Sequence, residues 1–292
     1  MEQQPLVSVI INCFNGEKYL REAIDSVIAQ TYTNWELIFW DNQSTDSTAE
    51  IVKSYKDERI RYFYAPEHTP LGEARNLAMK EVRGEFIGFL DADDVWNSSF
   101  VNKAIKVLSE QADLLGFYSS YFLNRNGRIY PIEECTRDAI VSTRDLIMNY
   151  NIALSACLVR KNVVLERNLS FDNNYKLIED CDFFIKLSVY GNFFYSAERL
   201  MTYRLHVTSS SYQLRYLWYI EYIKFLAYCN ILVENKTIKD CDLTQLRHNI
   251  DESKIDYLIE MNNKKGLLIH LIKEPKLLFK HWKKLYFIIV GR

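Results

Sequence analysis

The feature that most constrains the fold is a change of period that repeats from Leu6 to Leu90. Residues 6–13 (LVSVIINC) form a short apolar run rich in β-branched side chains, the pattern of a strand buried on both faces. Leu20, Ala23, Ile24, Val27 and Ile28 then recur at helical spacing and predict a single apolar helix face. Residues 35–40 (WELIFW) predict a second strand, and Ser44, Thr45 and Asp46 offer N-cap chemistry for a helix reaching about Tyr55. A third strand over 60–64, a helix over 73–82 and a fourth strand over 86–90 (FIGFL) continue the alternation. Strands alternating with helices across short connections predict an α/β fold, a mostly parallel sheet flanked by helices on both faces.

The rhythm changes after Asp94. A helix is predicted over 99–110 with Ser98 as its cap, strand-like stretches over 115–122 and 153–159, and an amphipathic helix over 179–190. From 212 onward strand signals vanish. Helices are predicted over 212–234, 243–261 and 265–290, the last broken by Pro275. The expected division is a sheet-containing domain over 1–211 and a helical C-terminal extension over 212–292.

Charge and cysteine usage exclude several classes. Lys plus Arg is 36 and Asp plus Glu is 38, a net charge of −2 that argues against a bulk nucleic-acid binder. The six cysteines include no CxxC pair, which argues against a zinc ribbon, a dithiol redox site or a disulfide-stapled scaffold. With no basic-then-apolar leader and no run near ~18 apolar residues, the expected compartment is the cytoplasm. Neither GxGxxG after the first strand nor GxxxxGK[ST] occurs, so any phosphate binding must use a metal and cationic side chains.

Open parallel sheets bind ligands beyond the carboxyl ends of their strands. The residues there are Phe14, Asn15, Gly16 and Glu17 after the first strand, Asp41 and Asn42 after the second, and Asp91-Ala92-Asp93-Asp94 after the fourth. Carboxylates gathered at one rim repel unless a cation compensates them, and a hard divalent ion such as magnesium or manganese suits oxygen donors. Taken alone, the D-A-D-D run fits a solvated helix-capping turn equally well. Arg75, early in its helix, is a candidate phosphate contact at the end where backbone amides favour anions. Glu179 and Asp180 open an amphipathic helix whose N-terminus favours an ionised carboxylate; by themselves they read more simply as helix caps. His206 follows a strand-like segment, whereas His68 in a proline-bounded loop reads as ordinary surface.

Together these stretches resemble family 2 glycosyltransferases with the nucleotide-sugar-binding fold called GT-A. The resemblance rests on VSVIINCFNGEKYLREAIDSVIAQTYTNWELIFWDNQSTDST, GEARNLAMKEVRGEFIGFLDADD, IEDCDFFIKL and YRLHVTSSS, spread over residues 7–211. It implies that Phe14, Asn15 and Glu17 meet the nucleoside, that Asp41 reads the base and that Arg75 contacts the nucleotide. It further implies that Asp91 and Asp93 are the DxD pair, with Asp91 near the ribose and sugar and Asp93 on the metal. His206 is implied near the diphosphate and metal, and Asp180 as the catalytic base of an inverting reaction, with Glu179 beside it. The usual D-D-G-S-T-D segment here reads D-N-Q-S-T-D, so Asn42 and Gln43 depart from the pattern, and Phe14 stands where tyrosine is frequent.

The expected activity is an inverting, manganese- or magnesium-dependent transfer of a sugar from a nucleotide-diphosphate donor, of UDP type, to a hydroxyl of a glycan or lipid-linked acceptor in cell-surface polysaccharide or lipopolysaccharide synthesis. Two alternatives use the same strand-end aspartates. A nucleotidyltransferase ordinarily presents a glycine-rich basic loop where this chain has C-F-N-G-E-K, and a non-catalytic sugar-nucleotide or glycan-binding module would not need Asp91, Asp93, Asp180 and His206 together. Near the C-terminus Lys273, Lys276, Lys280, Lys283 and Lys284 alternate with apolar residues. This basic amphipathic stretch suits an anionic membrane surface, which would make the protein peripheral on the inner face of the membrane, or packing on the catalytic domain or a second copy.

Overall fold

The computed structural model describes residues 4–132, 136–206, 213–214, 216–274 and 276–277. The chain divides into two compact units, Met1–Val207 and Thr208–Arg292.

The first unit is built on one mixed sheet. Its elements in order are β1 (Val7–Cys13), α1 (Leu20–Ile28), β2 (Trp35–Asp41), α2 (Thr48–Ser54), β3 (Ile60–Tyr64), α3 (Leu71–Met79), β4 (Phe86–Phe89), β5 (Val95–Trp96), α4 (Phe100–Glu110), β6 (Gly116–Arg125), β7 (Arg128–Pro131), β8 (Ala139–Val141) and α5 (Thr143–Met148). A single 3₁₀ turn (Leu154–Ala156), β9 (Cys157–Arg160), α6 (Lys161–Glu166), α7 (Glu179–Ser188) and β10 (Phe193–Leu205) complete it. The strand order is β3-β2-β1-β4-β9-β6-β10-β5, with β7 on β6 and β8 on β10. Val9, Ile11, Leu37, Phe39 and Phe86 bury the sheet against α1 and α4 through Ile24, Val27, Phe100 and Leu108.

β3, β2, β1 and β4 are all parallel, and their register sets Cys13, Asp41 and Tyr64 level at the carboxyl end. The expected parallel sheet is confined to this part. β9 runs antiparallel to both β4 and β6, β10 is parallel to β6, and β5 is antiparallel to β10. β10 shifts register between Ser196 and Met201, so its second half lies beside β5 and returns the chain to the loop after β4.

Local departures from the sequence reading have identifiable causes. The strand expected over 153–159 begins as a turn, because Ser155 Oγ accepts from Asp91 N and Ser155 O accepts from Trp96 Nε1. Ser98 does not cap α4; Asn97 Oδ1 accepts from Ser99 N (3.0 Å). α2 starts only at Thr48, with Asp46 Oδ1 accepting from its N–H, because Ser44 and Thr45 are bonded to the loop after β1.

The second unit contains α8 (Leu217–Glu234), α9 (Thr244–Glu260) and α10 (Lys264–Lys273). Ile255, Leu258, Leu267, Leu271 and Leu277 form its own small core, and Tyr219 meets Tyr257 at 5.1 Å between ring centroids. The helix expected over 265–290 ends at Lys273, and residues 278–292, with most of the basic stretch, lie outside the described residues. Among the described residues no helix is long and apolar enough to cross a membrane.

Candidate functional site

The loops after β1 and β2 are sewn together. Gly16 approaches Cys13 so closely that a Cβ would lie 2.3 Å from Cys13 Sγ, and Asn15 takes a φ of 56°, a conformation asparagine tolerates better than most residues. Asn15 N donates to Ser44 Oγ (3.0 Å) and its Oδ1 accepts from Thr45 N (2.8 Å). Gly16 N donates to Thr48 Oγ1 (2.9 Å), Glu17 N to Asp46 Oδ2 (3.0 Å), and Glu17 Oε2 accepts from Ser47 N (3.0 Å). The Asn15 and Glu17 side chains are therefore loop fasteners.

Phe14 stays half exposed, and its ring meets the His68 ring edge-on at 4.5 Å. His68 Nδ1 lies 2.8 Å from Asn42 O, so that nitrogen donates to the carbonyl. Asp41 is completely buried: Oδ1 accepts from Ser44 N and Oδ2 from the Tyr62 hydroxyl, each at 2.7 Å. Asn42 is fastened on both ends of its amide to Thr69.

A second group of residues converges on Arg75. This side chain, expected to reach a phosphate, is buried; it donates to Glu179 Oε1 (2.7 Å), 104 residues away, and to Asp91 Oδ1 (3.2 Å). Burial opposes its charge, but Asp91, Glu179 and Asp180 outweigh that and hold its pKa above the ordinary value. Asp180 follows Glu179 in the first turn of α7, and its Oδ1 accepts from Cys181 N (2.7 Å). The expectation that the helix N-terminus keeps Asp180 ionised is corrected here. Burial, then the neighbouring Glu179 charge, pushes its pKa up to about 7, against the lowering effects of Arg75 and the Cys181 N–H. A helix-end dipole contributes ~0.3–1 kcal/mol, less than desolvation and a like charge next to it.

The third group is the loop after β4. Asp93 Oδ2 lies 2.7 Å from His206 Nε2. Arg204, one turn of extended chain before His206, fastens this loop with three bonds: its N–H donates to Asp94 Oδ1 (2.8 Å), Nε to Asp93 O (2.9 Å) and Nη2 to Glu22 Oε2 (2.7 Å). Its guanidinium also lies over Tyr19 at 4.2 Å. Burial, then Asp91, raises the Asp93 pKa against the pull of His206; Asp94, fully buried and beside both, is raised well above the ordinary carboxylate range.

Among the described residues no three His, Cys, Asp or Glu side chains gather as a ready metal cage. The donors present nevertheless fit a hard divalent cation. Asp93 and His206, now hydrogen-bonded to each other, would supply one or two protein donors, the number such ions commonly take with substrate phosphates completing the shell. The carboxylate crowding that raises Asp93 is what a cation would relieve.

The structure thus bonds Arg75 to Asp91 and Glu179 with Asp180 next to them, links Asp93 to His206, and sets Asp41 and Phe14 on the adjoining strand ends. The sequence reading did not single out Arg204, which fastens the loop after β4, and took His68 as surface, although it bonds to Asn42 O and meets the Phe14 ring. Arg204 had one available signal, its place two residues before His206 at a strand end.

A central sheet flanked by helices, with acidic loops at its carboxyl rim, defines a mixed α/β fold that solved structures share. The chain superposes on TarS of S. aureus in complex with UDP with a TM-score of 0.62 at 22% identity, covering 86% of this chain and 70% of that one. A mannosyltransferase from Pyrobaculum calidifontis, solved with GDP-Man and Mn²⁺, gives 0.59 at 16% identity over 97% of this chain and 76% of that one. The architecture is the GT-A fold. Residues 8–156 match the family described as glycosyl transferase family 2, and the chain belongs to that family. Relatives include a putative teichuronic acid biosynthesis glycosyltransferase, TuaG, of Bacillus subtilis, 33% identical over 42% of this chain and 50% of that protein. Another is a UDP-Glc:α-D-GlcNAc-diphosphoundecaprenol β-1,3-glucosyltransferase, WfgD, of Escherichia coli, 30% identical over 63% of this chain and 69% of that protein. A Rickettsia typhi glycosyltransferase is 31% identical over 69% of this chain and 64% of its own length. The chain therefore spans half to about two thirds of these relatives.

Proposed function

We propose that the protein transfers a hexose, with inversion, from a UDP-sugar to a hydroxyl of a glycan or lipid-linked acceptor in the building of a cell-surface polysaccharide or lipopolysaccharide. The observation that carries this reading is the Arg75 bridge, which ties the first DxD carboxylate, Asp91, to the Glu179–Asp180 pair. Donor-side and acceptor-side acids thereby share one cluster. Support for the donor comes from the TarS complexes with UDP and UDP-GlcNAc, and for the acceptor class from the activity of the relative WfgD.

In this reading Phe14 and His68 flank the base, and Asp41 braces the base end of the site through Ser44 and Tyr62. Asp93 and His206, with Asp91 nearby, hold a manganese or magnesium ion, which supplies Lewis-acid stabilisation of charge on the departing diphosphate. Arg204 keeps Asp93 and the His206 strand in place. Asp180 accepts the proton of the attacking hydroxyl; a carboxyl that titrates near 7 is matched to that task, and positioned general bases contribute ~10²–10⁴ in rate. Glu179 fixes Arg75, and Arg75 moderates the charge around Asp180.

Residues 1–211 form the catalytic part and 212–292 the acceptor, membrane or subunit contact. The basic segment attaches the protein peripherally to the inner face of the membrane. Removing residues 273–292 lowers co-sedimentation with anionic vesicles, and unchanged sedimentation ends that part of the proposal. The main test is product analysis with UDP-glucose and UDP-GlcNAc. Release of UDP that requires manganese and is lost in Asp93→Ala is expected; formation of UTP and sugar 1-phosphate when pyrophosphate is added identifies a nucleotidyltransferase instead.

A further inference from the structure

Tyr19, the residue that precedes α1, stands between the loop after β1 and the end of β10 and is bonded to both. Its N–H donates to Gly16 O (3.1 Å), and Leu20 N donates to the same carbonyl (3.1 Å). The backbone of Tyr19 is thereby fixed to the Phe14–Asn15–Gly16 loop, which is itself stitched to the loop after β2. The side chain points the other way. Its half-buried ring meets the His206 ring at 5.6 Å between centroids, tilted by 35°. The Arg204 guanidinium lies 4.2 Å from the same ring centroid, and the Lys18 ammonium 4.8 Å from it. Glu22, in the first turn of α1, accepts from Arg204 Nη2 (2.7 Å), so the start of this helix grips the end of β10 at two points.

The contacts divide the work. An aromatic face is negative and attracts cations, so Arg204 and Lys18 hold the Tyr19 ring in place. That ring then lies against His206 at a separation and tilt typical of favourable aromatic pairs. His206 follows the last residue of β10, beyond the sheet ladder that orders Leu205, and its Nε2 lies 2.7 Å from Asp93 Oδ2. An imidazole at a strand end turns about two side-chain bonds, and a flat neighbour restricts both. Among the described residues the Tyr19 hydroxyl has no hydrogen-bond partner, so the ring makes these contacts and the hydroxyl does not.

We propose that Tyr19 is a positioning residue whose ring sets His206 beside Asp93 and so couples the nucleotide-side loop to the metal-side pair. This rests on the metal-assisted UDP binding of the functional reading above. Tyr19 acts through His206 and needs no contact of its own with donor or metal. Coupling of this kind is reciprocal: manganese tightens UDP by the factor by which UDP tightens manganese, and loss of the ring lowers both.

The test is titration calorimetry of UDP on the full chain, with manganese and with chelator, for wild type, Tyr19→Phe and Tyr19→Leu. UDP affinity in chelator is expected within about twofold of wild type in both variants, which also shows that both are folded. The manganese enhancement is expected to persist in Tyr19→Phe and to fall in Tyr19→Leu to about threefold or less, because leucine fills the space without the aromatic face. The double variant Tyr19→Leu/His206→Ala is expected to match His206→Ala within about twofold, as it must if the effect of Tyr19 passes through that ring. An enhancement unchanged in Tyr19→Leu overturns the proposal. So does UDP affinity lost equally with and without manganese, which identifies a structural brace, a loss in Tyr19→Phe as large as in Tyr19→Leu, or losses that multiply in the double variant. Wild-type protein whose UDP affinity ignores manganese overturns the underlying metal reading instead.

Discussion

Replacing Asp180 with Asn should stabilise the protein and inactivate it, and the two effects have one cause. Burial and Glu179 raise the Asp180 pKa from 3.8 to about 7. A carboxyl whose folded pKa lies above its unfolded value keeps more protons in the native state between those two values. The slope of stability with pH is then negative, so stability falls as pH rises from about 4 to about 7 and stays reduced above it. At 1.36 kcal/mol per pK unit the full shift caps the penalty at about 4 kcal/mol; partial exposure of Asp180 and its coupling to Glu179 reduce the expected value to about 2 kcal/mol. The neutral, isosteric amide removes that penalty. Urea unfolding of Asp180→Asn should therefore show a gain of about 2 kcal/mol at pH 8 that shrinks steadily toward pH 5. Transfer should meanwhile fall ~10²–10⁴-fold through loss of the proton acceptor. A variant less stable than wild type at pH 8, or a gain independent of pH, would refute the carboxylate-crowding argument.

Arg75→Met removes the charge that joins two acids. Both partners of the Arg75–Glu179 pair are almost fully buried, and stripping one partner from such a pair costs ~3–5 kcal/mol, while the more exposed Asp91 contact adds little. At ~2–4 °C per kcal/mol for a domain of this size, differential scanning fluorimetry should show a melting temperature about 10 °C lower. Tyr62→Phe keeps the ring stacked on Phe39 at 6.0 Å but deprives buried Asp41 of a donor, and urea unfolding should record a loss of ~1–3 kcal/mol.

The parallel half of the sheet was legible because strands buried on both faces must be apolar throughout, as VSVIINC and WELIFWD are. The D-A-D-D run, which alone fits a solvated turn equally well, is set apart only by the distant residues that bond to it, Arg75, Arg204 and His206. What lay beyond reading depends on contacts distant in sequence. The two-residue β5 exists because β10 pairs with it, and the turn at Leu154–Ala156 because Ser155 serves Asp91 and Trp96. Arg75, expected to reach a phosphate, is instead buried against α7, 104 residues later in the chain. The pKa of Asp180 follows the same logic. Local sequence shows a helix start, which favours ionisation, and only the folded cluster supplies the burial and the like charges that reverse the sign. His68 sits in a connection whose composition signals nothing, and its contacts with Phe14 and Asn42 alone make it a candidate.

The central claim is that carboxylates from separate strands meet at one rim to hold a cation and the diphosphate it neutralises. Titration calorimetry of UDP, with manganese and with chelator, on wild type and Asp93→Ala tests it most directly. The account predicts that manganese tightens UDP binding by at least tenfold in wild type and leaves the variant unaffected. Equal affinity with and without the metal in wild type, or full manganese enhancement in Asp93→Ala, would contradict it.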